Sequence, residues 1–200
     1  MSRVAIAYGE RSLETVNKAI DLIPIQDALR EWERVLIKVN FITTKNWETG
    51  ATTDPMVVEA LVHRLRDLGK EVIIVESDAQ TTNADKAWIA SGMNEVGERL
   101  DVPFINMRHV DEKIELNVPD GRVLKKIKVA KIATESAIIS AAKLKTHMGT
   151  KVTLGLKNMF GMLTTKFKGK YHLRGMDKVI HDINKTIPPQ VTVIDGFIAM

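Results

Sequence analysis

The chain has 200 residues, a formal net charge of +4 and no cysteine. Its length allows one sizeable core but is short for two full domains. The lack of thiols excludes disulfides, cysteine-ligated iron–sulfur clusters, thiolate zinc sites and a cysteine nucleophile. No stretch has the length and apolarity of a membrane span, and the first residues lack the apolar region of a signal peptide. We therefore expect a cytoplasmic protein without a membrane partner.

Positive charge is concentrated in the second half of the chain. Residues 122–185 contain fifteen lysines and arginines but three acids, Glu135, Asp177 and Asp182. The rest of the chain is therefore net acidic. This asymmetry predicts an anionic partner for the second half.

The first half alternates predicted strands with predicted helices. Apolar runs predict strands at 4–8, 34–40, 71–76 and 102–106. Apolar residues at helical spacing predict helices at 13–23, 25–32, 55–68, 84–91 and 94–100. Asp54 and Pro55 suit the N-cap and the first residue of the third helix. The strands that flank this helix are expected to be parallel, with a right-handed crossover.

A change of pattern follows in the second half. Residues 113–118 and 122–129 alternate apolar and polar side chains around a Pro-Asp-Gly turn, which is typical of a β-hairpin. Residues 131–140 bring the chain back to the main sheet, where the apolar run 136–142 predicts a buried strand. A helix at 176–187 and a strand at 191–196 complete the prediction. We predict an α/β fold, with a mostly parallel sheet, helices on both faces and a β-hairpin excursion near 113–129. Residues 1–200 are expected to form a single domain, with a small hairpin subdomain at about 107–130.

Residues 140–162 concentrate polar side chains where a buried strand should end. Lysines, threonines, His147 and Asn158 stand there among three glycines, directly after an apolar run. We interpret the segment as a strand, a polar loop and a helix. Open α/β sheets bind ligands beyond the carboxyl ends of their strands, and several cations with hydroxyl and amide donors favour an anion. The alternative is a loop of solvated lysines.

Three other predicted strands also end in polar residues, at Lys38 and Asn40, at 76–78, and at Asp195. If these strands share one sheet, their ends line one crevice. His147 would serve there as a general base, a metal ligand or a hydrogen-bond donor, unless it is structural.

Motifs for other chemistries are weak or missing. A metal could be held by Glu76, Asp78, His147 and Asp195, but no local ligand spacing supports it, so no metal site is assigned. No Rossmann fingerprint, Walker A loop or G-x-S-x-G elbow is present. The cofactor therefore stays unknown.

A series of short motifs resembles a known family. The motifs are K-V-N at 38–40, T-T-D-P at 52–55, E-S at 76–77, K-L-K-T-H at 143–147, V-T-L-G-L-K-N-M-F-G at 152–161, H-D at 181–182 and V-I-D-G at 193–196. In this order they resemble the "domain of unknown function 362" family, over nearly the whole chain. The resemblance implies an α/β domain without a settled activity.

The resemblance also implies which residues line the site. These are Lys38, Asn40, Asp54, Lys143, Lys145, Thr146, His147, Lys157, Asn158 and Asp195. Many members of the family carry a ferredoxin-type iron–sulfur segment, which a chain without cysteine cannot hold. Members usually continue after the last strand with a Gly- and Pro-rich segment, whereas this sequence stops at Met200, as a trimmed or short member would.

The first hypothesis for function is a crevice that binds a small phosphate- or carboxylate-bearing molecule, with or without catalysis. Lys143, Lys145 and Lys157 would hold the anion, and Thr146 and Asn158 would orient it. His147 would act as the acid or base, and Asp195 or Glu76 would orient His147 or hold a divalent cation.

The second hypothesis belongs to another class of protein. It is a non-catalytic binder of nucleic acid or another phosphate backbone, which uses the basic segments 122–131 and 166–174. A crevice completed by a partner protein or by a second copy is a third hypothesis, so a homo-oligomer stays open.

Overall fold

The computed structural model describes residues 3–165 and 167–200, apart from the side chain of His172. The strands are β1 (Arg34–Lys38), β2 (Glu71–Glu76), β3 (Phe104–Asn106), β4 (Lys113–Asn117), β5 (Lys126–Ala130), β6 (Ala137–Lys143), β7 (Lys145–His147), β8 (Lys151–Thr153) and β9 (Val191–Asp195). The α-helices are α1 (Leu13–Asp21), α2 (Ile25–Ala28), α3 (Pro55–Asp67), α4 (Ala84–Ala90), α5 (Met93–Arg99), α6 (Gly155–Asn158), α7 (Gly169–His172) and α8 (Met176–Thr186). Lys166 and the His172 side chain, both in the predicted basic segment 166–174, lie outside the described residues.

A five-stranded parallel sheet forms the centre of the fold, in the order β3-β2-β1-β6-β9. From β1 the chain moves outward to β2 and β3, and it then crosses to the other side of β1 for β6 and β9. The direction of winding therefore reverses between β1 and β6. In open α/β sheets the ligand crevice lies at such a reversal, beyond the carboxyl ends of the strands.

Two hydrophobic cores cover the two faces of this sheet. In β1, Val35 and Ile37 face the first core, whereas Leu36 faces the second, as expected for a strand buried on both sides. Helices α1 to α5 contribute to the first core. The second core is formed with the β4–β5 hairpin, the 3₁₀ turn at Met159–Met162 and α8. The predicted α/β fold, with helices on both faces and a hairpin excursion, is confirmed.

The β4–β5 hairpin is fastened to α8 by one buried carboxylate. Asp182 accepts hydrogen bonds from the backbone N–H groups of Arg122, Val123 and Leu124, at 2.8–2.9 Å. Burial alone would raise the pKa of Asp182, but these three donors outweigh it and lower the pKa to about 2. The segment between the two strands is therefore held by a charge, in addition to its apolar packing.

Replacing Asp182 with asparagine should lower the free energy of unfolding by about 2–3 kcal/mol at pH 7, because charge-assisted hydrogen bonds are lost. The folded pKa lies below the unfolded one, so this contribution is complete above pH 5 and disappears as the pH falls towards 2. Urea unfolding at pH 7 and pH 3 measures both effects. Asp177→Asn, at an exposed position of α8, is the control and should change stability by less than about 1 kcal/mol. Equal effects of the two variants would contradict this role.

Three predicted elements differ from the observed ones. Residues 4–8 are not a strand: no described strand pairs with them, and Val4, Ile6 and Tyr8 are at least 86% exposed. A β-prone run becomes a strand only where a neighbouring strand satisfies its backbone. The predicted helix at 25–32 ends at Ala28. The predicted polar loop after β6 contains the β7–β8 hairpin, because Lys145–His147 pair antiparallel with Lys151–Thr153.

Candidate functional site

Two buried ion pairs close the carboxyl ends of neighbouring strands. The ammonium group of Lys38, at the end of β1, lies 2.9 Å from a carboxylate oxygen of Glu76, at the end of β2. Lys143, at the end of β6, lies 2.6 Å from Asp195, at the end of β9. All four side chains are at most 5% exposed. The predicted convergence of Lys38, Lys143 and Asp195 at one sheet edge is thus observed, on both sides of the winding reversal.

Asn158, on α6, joins the two halves of the sheet. Its Oδ1 accepts from Lys38 Nζ at 2.9 Å and from Asn40 Nδ2 at 3.0 Å. Its Nδ2 donates to the Lys38 carbonyl at 3.0 Å and to the Ser140 hydroxyl on β6 at 3.1 Å. Asn158 is buried, and these four bonds satisfy its amide completely. It therefore fixes the position of the Lys38 ammonium group, and a bound molecule is not needed to hold it.

The backbone at Gly161 packs directly against the Lys38–Glu76 ion pair. A Cβ at this position would lie 2.4 Å from Lys38 Cε and 2.6 Å from both Lys38 Nζ and Glu76 Oε1. The Gly161 carbonyl also accepts a hydrogen bond from the hydroxyl of Ser77. The backbone thus passes directly over the ion pair, where only glycine leaves enough room.

Gly161→Ala should destabilise the protein by about 1–3 kcal/mol, since the new methyl group must displace the Lys38 ammonium from its partners. Gly149→Ala is the matched control: a Cβ there makes ordinary contact with His147 at 3.5 Å and should be nearly neutral. Thermal unfolding of the two variants tests the difference. A neutral Gly161→Ala would show that the ion pair is not fixed.

Asp54 links the start of α3 to the β9 side of the crevice. Its carboxylate accepts from Met56 N at the helix N-terminus and from two nitrogens of Arg11, at 2.7 and 2.8 Å. Its own N–H donates to Asp195 Oδ2 at 2.8 Å. Asp54 is fully buried, and its charge is compensated by Arg11. Asp54 therefore positions Asp195 through its backbone.

Three further lysines reach the crevice without a carboxylate of their own. Lys145 donates to the Ala51 carbonyl, Lys168 donates to the Ser77 hydroxyl, and Lys157 Nζ lies 4.9 Å from the ring centre of Phe160. Within the described ranges, no carboxylate forms an ion pair with any of the three. The crevice therefore carries more positive than negative charge.

Burial makes the positive charge on each of these three lysines energetically unfavourable. Burial lowers the pKa of Lys145, Lys157 and Lys168 to about 8 each. The nearby charge of Lys38 lowers each pKa further, whereas Glu76 opposes the shift. An anion bound among these lysines would restore the solvation that burial removes. The lysines are thus still largely protonated at pH 7, but they would be better satisfied with a negative group between them.

Three predicted site residues lie in the β7–β8 hairpin. Lys145 is buried and Thr146 is exposed, because successive residues of a strand face opposite sides. His147 Nδ1 accepts from the N–H groups of Gly149 and Thr150, at 3.0 and 3.2 Å. Nε2 therefore carries the ring proton in neutral His147. The Asp195 carboxylate accepts hydrogen bonds from Lys143 Nζ and from the N–H groups of Asp54 and Phe197. The orientation of His147 by Asp195 therefore stays a prediction.

A separate group of possible metal ligands lies at the β2–β3 side. Among the described residues, Asp78, Asp85 and His109 each offer one ligand atom, and these atoms lie within 4.8 Å of one another. Burial raises the pKa of Asp78, but hydrogen bonds from Ala84 N, Asn106 and His109 lower it overall. Of the metal ligands considered from the sequence, only Asp78 belongs to this group. Glu76 and Asp195 are instead paired with lysines.

A surface cavity of about 360 Å³ lies at the opposite edge of the sheet. Arg34 and Glu71, the first residues of β1 and β2, line it and pair with each other at 2.8 Å. Lys131, also in its wall, pairs with Glu112. Its charges are therefore compensated internally, in contrast to those of the crevice.

Sequence reasoning missed several residues of the crevice. Lys168 stands in a basic loop that gave no indication of burial, and Arg11 lies in a segment without any motif. Ser140, within β6, and Ser77, directly after β2, also bond there. Both fall in segments that the sequence pointed to, 140–162 and 76–78, but neither was assigned to the site, whereas only the three-dimensional fold shows Lys168 and Arg11.

A known protein family matches the part of the chain that forms the parallel sheet. The family model described as "Domain of unknown function (DUF362)" matches residues 35–200, which cover the five strands of the parallel sheet except Arg34, the first residue of β1. The chain belongs to this family. The predicted resemblance is thereby confirmed, and the ten predicted site residues all fall within the matched part.

One curated relative illustrates the family. The chain is 26% identical over 174 residues to the "Thylakoid-associated protein sll1697" of Synechocystis sp. (strain ATCC 27184 / PCC 6803 / Kazusa), covering 84% of this chain and 52% of that protein. The chain thus spans about half the length of the relative. No solved structure matches the chain significantly. Among the described residues, no helix combines the length and apolarity needed to cross a membrane.

Proposed function

We propose that this protein binds a small phosphate- or carboxylate-bearing anion in the crevice beyond the carboxyl ends of β1 and β6. The observation that carries the proposal is the imbalance of buried charge. Five lysines reach the crevice, at positions 38, 143, 145, 157 and 168, whereas Glu76 and Asp195 are the carboxylates that pair with them. Burying cations without counter-charges is unfavourable, and a bound anion would offset this cost.

The division of roles differs from the sequence hypothesis. Lys38 and Asn158 are saturated by protein partners, and Lys143 is paired with Asp195, so we assign all three to the scaffold of the site. Lys145, Lys157 and Lys168 are the candidates that contact the anion. Thr52 is fully buried, and its hydroxyl has no hydrogen-bond partner among the described residues. It follows Ala51, whose carbonyl accepts from Lys145. A hydroxyl donor at this place would suit an anionic ligand.

The nucleic-acid hypothesis has less support. It rested on the basic segments 122–131 and 166–174, but Lys168 in the second segment is buried. In the first segment, Lys126 and Lys131 form ion pairs with Glu115 and Glu112. The small-anion proposal uses the buried lysines directly. The cytoplasmic location stays a prediction, and a homo-oligomer stays open.

Calorimetric titration with phosphate and sulfate at pH 7 tests the proposal. Lys145→Gln should weaken binding by about 10- to 100-fold, which corresponds to the loss of one charge-assisted hydrogen bond. Lys125→Gln, at an exposed position of the same basic half, should leave the affinity unchanged. The proposal fails if neither anion binds with a Kd below about 10 mM, or if the two variants behave alike. RNA binding that falls steeply with salt and survives Lys145→Gln would favour the second hypothesis.

A further inference from the structure

The three unpaired lysines of the crevice differ in how their amines are occupied. Lys145 and Lys168 are buried and donate to protein oxygens. Lys157 is half-buried, and the contact found for its amine is the ring face of Phe160. Within the part of the chain that the structure describes, the Lys157 amine is therefore the one of the three that a molecule entering the crevice can approach without breaking a hydrogen bond to the protein.

Nearby lysines disfavour a positive charge on the Lys157 amine. The charge of Lys38 acts on Lys157, and the charges of Lys157, Lys38 and Lys143 all act on Lys145. A lysine that is desolvated next to other cations is partly neutral near pH 7, and its lone pair is then available as a nucleophile. The pKa of about 8 for Lys157 agrees with this arrangement.

We propose that the Lys157 amine forms an imine with small carbonyl compounds that bear a carboxylate or phosphate group. This inference rests on the proposed anion site, because the neighbouring ammonium groups of Lys145 and Lys168 would hold the negative group. The neutral amine attacks the carbonyl carbon and forms a C–N bond, giving a carbinolamine. Its hydroxyl takes up a proton and leaves as water, and the product is an iminium ion. No oxidant or reductant is required.

Reductive trapping tests the inference. The protein is incubated with pyruvate or dihydroxyacetone phosphate, reduced with borohydride, and analysed by mass spectrometry of the intact chain and of its peptides. We expect the adduct on Lys157, formed at least about tenfold faster than with acetone or dihydroxyacetone, which lack the anionic group. Lys157→Arg keeps the charge and should abolish the adduct, whereas Lys125→Arg should not change it.

Three results would overturn the inference. They are adducts spread over exposed lysines, equal reaction with the neutral carbonyl compounds, and full trapping in a correctly folded Lys157→Arg variant. The underlying anion site is judged separately, by calorimetry with sulfate in the absence of a carbonyl compound. If sulfate binds but no adduct forms, the imine inference fails and the anion site stands. If sulfate does not bind, both fail.

Discussion

Replacing Lys38 with methionine should lower the free energy of unfolding by about 3–5 kcal/mol, because it leaves the carboxylate of Glu76 buried without a counter-ion. Glu76 would keep hydrogen bonds from the N–H groups of Phe41 and Ser77, which limit the loss but do not neutralise the charge. Asn158 would also lose a donor at Oδ1. In a chain of this size the melting temperature should fall by about 6–20 °C.

A double variant, Lys38→Met with Glu76→Gln, distinguishes the contribution of the ion pair to stability from that of side-chain packing. Combined with Glu76→Gln, Lys38→Met leaves no charge at this position, so the loss should be smaller than the sum of the two single losses by about 1–3 kcal/mol. Lys126→Met, in the exposed pair with Glu115, should cost less than about 1 kcal/mol. Urea unfolding of the four variants gives all these values. Additive losses, or a Lys38→Met loss as small as that of Lys126→Met, would contradict the ion-pair account.

Sulfate binding should weaken by at least about tenfold between pH 7 and pH 9.5. Sulfate stays a dianion over this range, so the change reports on the protein. Lys145, Lys157 and Lys168 each have a pKa of about 8 in the free protein, and each must be protonated to hold the anion. Affinity is therefore greatest below pH 8 and falls as the pH rises through 8. An affinity independent of pH would show that these lysines do not contact the anion.

The same pKa values predict the opposite trend for the stability of the free protein. The pKa of each lysine is about 8 in the folded state and 10.5 without perturbation. Between these values the unfolded chain binds more protons, so the free energy of unfolding contributed by these groups increases with pH. Lys157→Met should reduce this increase, whereas Lys125→Met should not. This comparison is the stability control for the binding experiment.

Much of the crevice follows from the sequence, because parallel strands place their carboxyl ends at one edge. Lys38, Lys143 and Asp195 stand at the ends of apolar runs, and the order of the strands brings them together. Lys168 was not recognised, since its burial depends on how a basic segment docks against Ser77, ninety-one residues away in the chain. Such long-range docking leaves no local pattern.

Other differences have local causes. Thr146 is exposed because successive residues of β7 face opposite sides. The polar composition of this segment predicted a loop, so the alternation was not expected. Residues 4–8 have the composition of a strand, but strand formation depends on a pairing partner and composition does not reveal one. The close approach of Gly161 to Lys38 and Glu76 was also hidden, because a glycine in a loop has several ordinary explanations.

Proton uptake on sulfate binding tests the central claim most directly. Calorimetric titrations at pH 8, in two buffers with different ionisation enthalpies, give the number of protons that accompany each bound sulfate. The three lysines are about half protonated at this pH, and an anion among them raises their pKa, so we expect an uptake of about 0.5–1.5 protons. Binding without proton uptake, or with proton release, would contradict an anion site built from Lys145, Lys157 and Lys168.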